Sequence, residues 1–282
     1  VILVTGGTGR VGRHAVSGLL AAGADVRVLS RDPGAAARLP SAAEVVHGDL
    51  AHPRGLGPAL KDIEAVFLVW PTLSADHAAA AAVEAIAAHV RRVVYVSARG
   101  VSRIGWSEGT ILGSHARMEN LIETSGMAWT FLRPGGFAAN TLMWAPQIRA
   151  TGTVRWVHGK AARPLIHERD IAAVGVHALT GTGHDGARYE LTGPQVLTQI
   201  EQVTVIGEAI GRPLHWQELP REAALRAMTA QGMPPSVAGD ILDAHAAMEA
   251  TPEPVTTTVE DVTGAPATPF RQWAADHAGD FR

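Results

Sequence analysis

Short apolar runs alternate with amphipathic stretches along the first half of the chain. Residues 1–4 form an unbroken aliphatic run, and from Val11 the apolar positions recur at spacings of three and four through Ala15, Leu19 and Leu20. That pattern predicts a strand followed by a helix. The alternation repeats, with strands expected over 25–30, 44–47, 65–69, 92–96 and 127–132 and helices over 74–88 and about 110–125. Residues 65–69 are apolar at every position, which fits a strand buried on both faces of a parallel sheet. Strands alternating with helices predict an α/β fold, a doubly wound parallel sheet with helices on both sides. Beyond Ala138 the pattern loosens. Short strands are expected at 153–157, 164–167 and 188–192, among helices at 170–179, 198–210, 221–231, 236–249 and 269–277. The expected organisation is a sheet domain over 1–137 and a smaller C-terminal α+β cap over 138–282, folded together with it.

The turn after the first strand carries the first chemistry. Gly6, Gly9 and Gly12 are three apart, between a strand and a helix, and this context raises a glycine fingerprint above chance. Gly6 lets the strand turn, Gly9 lets backbone approach a pyrophosphate, and Gly12 lets the helix pack closely. Thr8, Arg10 and Val11 complete a loop that offers free N–H groups at a helix N-terminus to phosphates. A Rossmann-type fold is therefore expected. At the end of the second strand, Ser30-Arg31 stands where NAD-selective folds place a carboxylate. A guanidinium there forks onto a ribose 2′-phosphate, which predicts NADP(H) as the preferred carrier. Asp32 is an alternative ribose partner that would leave NAD(H) as a second carrier. Asp49, beside Leu50, either accepts from the adenine amino group or caps its own turn. Trp70-Pro71, at the end of the fourth strand, is expected to border the cofactor. Glycine and serine between Arg99 and Gly109 suggest a mobile loop at the site mouth.

Composition narrows the classes. The 282 residues carry a formal net charge of −3, with no cysteine and thirteen histidines in no close ligand spacing. Disulfides, thiolate catalysis and a metal site are not expected, nor is a nucleic-acid partner. No apolar run reaches the length of a membrane span, and the chain opens directly on a strand, so a cytoplasmic protein without membrane partner is expected. Lysine occurs only at Lys61 and Lys160, and tyrosine only at Tyr95 and Tyr189.

The chain resembles the atypical short-chain dehydrogenase/reductases, in their NmrA-like, NAD(P)H-binding branch. The resemblance rests on Thr5 through Gly12, Ser30-Arg31, Tyr95-Val96-Ser97, and the block from His115 and Glu119 to Arg133-Pro134. Phe137 with Asn140, Ile166-His167 with Asp170, residues 191–194, Gly211-Arg212-Pro213 and residues 258–264 also match. Pro134, Gly135 and Phe137 are expected among the cofactor contacts, with Gly135 and Gly136 allowing close approach to the nicotinamide. The wider superfamily uses Tyr-x-x-x-Lys on the helix before the sixth strand. Setting Glu119 at the family's glutamate puts His115 in the lysine position and Ile111 in the tyrosine position, and neither tyrosine precedes a lysine by four. Ser97 and His115 remain as candidate catalytic groups: Ser97, a water or a substrate hydroxyl would stabilise an alkoxide, and His115 would touch the cofactor ribose or donate weakly. His167 and Asp170 read as a helix-capping arrangement outside the site.

Trp70, Trp106, Phe137, Met143 and Trp144 are expected to line a pocket for an apolar or aromatic carbonyl substrate. The expected function is NADPH-dependent reduction of a cyclic or aromatic ketone or quinone, by a monomer or homodimer. The resemblance and the arginine- and alanine-rich usage extend this to secondary metabolism, such as polyketide tailoring in antibiotic biosynthesis. The alternative is a non-catalytic redox sensor that binds NADP(H).

Overall fold

In the computed structural model, residues 1–282 are described except 33, 35, 36, 38, 72–76 and 103–109. The expected helix cap at Ser74, the pocket residue Trp106 and most of the expected mouth loop lie outside the described residues. The elements run β1 (Ile2–Thr5), α1 (Gly12–Ala21), β2 (Val26–Ser30), β3 (Glu44–His47), α2 (Gly57–Leu60), β4 (Ala65–Leu68), α3 (His77–Ala87), β5 (Arg92–Val96), α4 (Ile111–Glu123) and β6 (Ala128–Pro134). Then come α5 (Ala145–Thr151), β7 (Thr153–Trp156), β8 (Ala162–Arg163), α6 (Glu168–Thr180), β9 (Ala187–Leu191), β10 (Leu197–Thr198), α7 (Gln199–Ile210) and β11 (His215–Glu218). The chain closes with α8 (Arg221–Ala230), α9 (Pro235–Ala250), α10 (Thr258–Thr263), α11 (Phe270–Asp276) and α12 (Ala278–Phe281).

Two compact units interleave along the chain. One holds Val1–Pro134, Glu168–Leu191 and Thr258–Ala265; the other holds Gly135–His167, Thr192–Thr257 and Pro266–Arg282. In the first unit a seven-stranded sheet runs β3-β2-β1-β4-β5-β6-β9, parallel at every pairing. The order reverses at β1 and β4, the switch point where open α/β sheets bind ligands. Central β4 is buried at every position, whereas edge strand β3 has two half-buried valines between exposed Glu44 and His47. Polar ends on an edge strand discourage pairing with another chain.

Three elements of this unit come from the stretch that the sequence pattern assigns to the cap. β9 pairs with β6, Leu132 opposite Tyr189, as the seventh strand. α6 lies on the sheet because Gly175 lets it approach: a Cβ there would stand 2.3 Å from the Phe67 ring. Its first turn carries Glu168, fully buried, with Arg13 of α1 at 3.8 Å. α10 packs on α6 and β9, which returns the chain to the sheet near its end.

The second unit has its own core, around Ile148, Val154, Ile206, Leu242, Phe270, Trp273 and Phe281. α7 begins with a capping box, Thr198 accepting from Glu201 N while Glu201 accepts from Thr198 N. The strand expected at 164–167 is displaced. β8 ends at Arg163, and only Ile166 pairs, in a single bridge to Phe137. Pro164 has no N–H to extend the ladder. His167 is buried 3.5 Å from Asp276, and Asp170 sits in the first turn of α6.

Candidate functional site

A groove of about 380 Å³ opens at the carboxyl ends of four adjacent strands. Thr5 and Gly6 follow from β1, Ser30 and Arg31 from β2, Gly48 and Asp49 from β3, and Val69 and Pro71 from β4. The glycine loop forms its floor. Gly6 has φ +63°, a left-handed turn that L side chains rarely adopt. A Cβ on Gly12 would stand 2.1 Å from the Gly6 carbonyl oxygen. That clash is with backbone and no rotamer relieves it, so glycine is required for α1 to start against β1. Gly9 N donates to Gly6 O at 2.8 Å and closes the turn.

Of the expected cofactor residues, Gly6, Thr8, Gly9, Ser30, Arg31, Asp49, Leu50 and Pro71 line this groove. Arg10 is exposed beside it, while Val11 and Gly12 are buried behind it in the start of α1. Asp49 caps its own turn, Oδ1 accepting from Ala51 N at 2.9 Å. Ser30 Oγ donates to Asp32 O at 2.7 Å, and Asp32 Oδ1 accepts from Gly34 N at 2.8 Å. Both hold the turn around exposed Arg31, which makes no ion pair among the described residues. Trp70 is half-buried against the sheet core. The sequence reading missed Thr5, whose Oγ1 donates to Val69 O at 2.9 Å and accepts from Val69 N at 2.7 Å. This stitch ties the ends of β1 and β4 together at the switch point. A polar residue closing an apolar strand was the available signal.

A second group of polar side chains lies at the ends of β5 and β6, facing α4. His115 and Glu119 are four apart on one face of that helix. Tyr95 and Ser97 are two apart on one side of the strand. Tyr95 Oη lies 2.7 Å from His115 Nδ1, and Ser97 Oγ donates to Glu119 Oε1 at 2.6 Å. Arg133 of β6 grips the same carboxylate with two bonds, 2.9 Å from Nε and 2.5 Å from Nη2. Ser97 is buried and its hydrogen is engaged, so in this arrangement it cannot also donate to a substrate oxygen.

Burial governs the titration here. It pulls the His115 imidazole down to about 4, against the opposing pull of Glu119. It pushes the Tyr95 phenol well above its usual range, with Glu119 adding to the rise. The hydrogen bond to Glu119 raises Arg133 in turn. Tyr189, the other tyrosine, is hydrogen-bonded at 2.7 Å to His184 Nδ1. Glu119, Arg133 and Tyr95 were not foreseen as a network, because its members come from three elements and meet only in the fold.

Pro134 ends β6 and is buried in the first unit. Gly135, Phe137, Met143 and Trp144 belong to the second. There Met143 is exposed and Phe137 half-buried. Trp144 is buried in the core, edge-on to Trp216 at 5.9 Å, so its expected role in lining a substrate pocket is replaced by core packing. Among the described residues no group of His, Asp and Glu could hold a metal ion, and no helix is long and apolar enough to cross a membrane.

Comparison with known proteins accords with this geometry. The NAD(P)H-binding family model matches residues 6–182. The chain is 41% identical to a (4-alkanoyl-5-oxo-2,5-dihydrofuran-3-yl)methyl phosphate reductase of Streptomyces griseus, over 100% of this chain and 99% of that one. It is 36% identical to an NAD(P)H azoreductase of Xenophilus azovorans, again over 100% of this chain and 99% of the relative. Among solved structures, an NADPH-dependent quinone oxidoreductase of Escherichia coli complexed with NADPH superposes with a TM-score of 0.81 at 22% identity, covering 98% of this chain and 99% of that one.

Proposed function

The chain belongs to the NAD(P)H-binding family and is an NAD(P)H-dependent oxidoreductase, and from that premise we propose that it reduces a conjugated electrophile with NADPH as the preferred carrier. The groove fits such a carrier: Gly6 takes a left-handed turn, a Cβ on Gly12 would meet the Gly6 carbonyl oxygen, and this glycine loop leads into α1, whose N-terminus has no side-chain cap. Gly6, Thr8 and Gly9 would hold the diphosphate, Leu50 and Pro71 would flank the groove, and Arg31 would take the 2′-phosphate. When bound, the reduced nicotinamide supplies a hydride.

The observation that carries the substrate reading is the engagement of the hydroxyl donors. Ser97 is held by Glu119, Tyr95 is buried against His115, and Tyr189 is held by His184. Reduction of a plain ketone concentrates charge on one alkoxide and calls for an acid. A quinone, an azo bond or an unsaturated lactone instead spreads the charge through its own π-system and takes its proton from water. The substrates named for the relatives include an alkanoyl dihydrofuranone and azo compounds, and of these two relatives the dihydrofuranone reductase is the more similar. An acyl-substituted unsaturated lactone or a quinone is therefore the substrate class proposed.

The test is NADPH consumption across 2-methyl-1,4-naphthoquinone, an acyl butenolide, an azo dye and cyclohexanone. The conjugated acceptors are expected to be at least about 10²-fold faster than cyclohexanone, the range that general acid catalysis commonly covers. Equal rates would contradict the reading. Consumption with none would favour the redox-sensor alternative.

A further inference from the structure

Resting on the reading of this chain as a hydride-transferring reductase, we propose that His115 is an uncharged catalytic hydrogen-bond donor. Its Nε2–H would meet the oxygen on which the substrate's negative charge collects, and Tyr95 is the positioning residue that fixes this tautomer.

The argument starts from the Tyr95 hydrogen. Tyr95 is 1% exposed, and His115 Nδ1, at 2.7 Å, is the hydrogen-bond partner its hydroxyl has among the described residues. If Nδ1 carried the ring hydrogen, the phenolic hydrogen would be left without an acceptor. Stranding a buried donor costs enough to bias the tautomers about tenfold or more. Tyr95 therefore donates, Nδ1 accepts, and the ring hydrogen sits on Nε2. His115 is only partly buried, and Nε2 has no protein partner among the described residues. The ring lies in the second turn of α4 against the penultimate residue of β5. That is the carboxyl edge of the sheet, on which ligands of open α/β folds bind.

Burial keeps the imidazole neutral, against the opposing pull of Glu119. Glu119, on the same helix, is held by Ser97 and by two bonds from Arg133 of β6, so its carboxylate is already engaged. Tyr95, from β5, does not ionise in the ordinary pH range. With the ring pulled down to about 4, it is neutral throughout physiological pH. A neutral N–H is too weak an acid to be removed by an enolate or hydroquinone anion, and Tyr95 is a dead end with no acidic group behind it to relay a proton. His115 therefore stabilises charge and keeps its hydrogen. The balance is simple: the hydride's electron pair forms a C–H or O–H bond on the acceptor, the acceptor's π-electrons move onto oxygen, and water supplies the completing proton.

The test has two parts. In the intact protein labelled with ¹⁵N-histidine, the His115 signals, assigned by their loss in His115→Gln, should show bare Nδ1 and protonated Nε2 at about neutral pH. Tyr95→Phe should turn this single tautomer into a mixture. A protonated Nδ1, or an imidazolium at neutral pH, would overturn the proposal without any assay of turnover. In turnover of 2-methyl-1,4-naphthoquinone, His115→Leu should lower kcat about 10²-fold, as for loss of one oxyanion donor, with KM little changed. His115→Gln, which keeps an N–H near the position of Nε2, should recover most of that loss. Full kcat in His115→Leu would overturn the catalytic role. If the wild type reduced none of the acceptors, the reductase reading would fall, and with it the catalytic role, while the tautomer is still decided by the spectra.

Discussion

At the scale of single residues, Arg31 is the side chain proposed to discriminate between the two carriers. It stands exposed at the end of β2, on a turn held by Ser30 and Asp32. Asp32, which would favour NAD(H) by accepting from ribose hydroxyls, already accepts from Gly34 N with one carboxylate oxygen. A guanidinium–phosphate contact is a charge-assisted hydrogen bond of about 1.5–3 kcal/mol. Arg31→Ala should therefore weaken NADPH about ten- to a hundredfold and NADH by less than about twofold. Fluorescence titration of both carriers checks this, and equal losses would remove Arg31 from the site. Gly12 was readable from spacing because only backbone contact is involved: 2.1 Å from a Cβ to the Gly6 oxygen is a property of the turn itself. Trp144 was not readable in this way. An aromatic near the end of a strand looks the same whether it lines a pocket or, as here, fills a core.

At the scale of elements, the pairing of α4 with β5 and β6 depends on one carboxylate. Glu119 is 3% exposed and receives Ser97 and both forks of Arg133. Removing one partner of a buried pair leaves the other charge uncompensated, at about 3–5 kcal/mol. Glu119→Leu should lower stability by about that much, and adding Arg133→Leu should recover a large part. Urea unfolding of the single and double variants measures it; a double variant as unstable as the single one would mean that the pair is not the source of the loss. Elements were largely legible because local periodicity fixes them. β3 and β5 fall on the expected residues, and α4 begins just after Thr110, whose side chain caps Gly113 N. The network between them was not, since Tyr95, Glu119 and Arg133 are separated by a helix or a strand and their partners are set by tertiary register.

At the scale of the whole molecule, sheet membership is what periodicity does not encode. β9 reads as a short alternating strand, as an edge strand should, but nothing in residues 187–191 names β6 as its neighbour. The same holds for α6, which meets the sheet through Gly175 and α1 through Glu168. At this scale the proposed function rests on hydride delivery into a conjugated acceptor. The groove at the switch point holds the carrier in this account, and the hydroxyl groups of Ser97, Tyr95 and Tyr189 are each held by a carboxylate or an imidazole. The measurement that bears on this most directly uses NADPH with deuterium at its transferable position and an acyl-substituted unsaturated lactone, the product being read by NMR. The account predicts deuterium on the ring carbon β to the lactone carbonyl, with the exchangeable proton taken from water. Deuterium on a carbonyl carbon, or a product without deuterium, would contradict it.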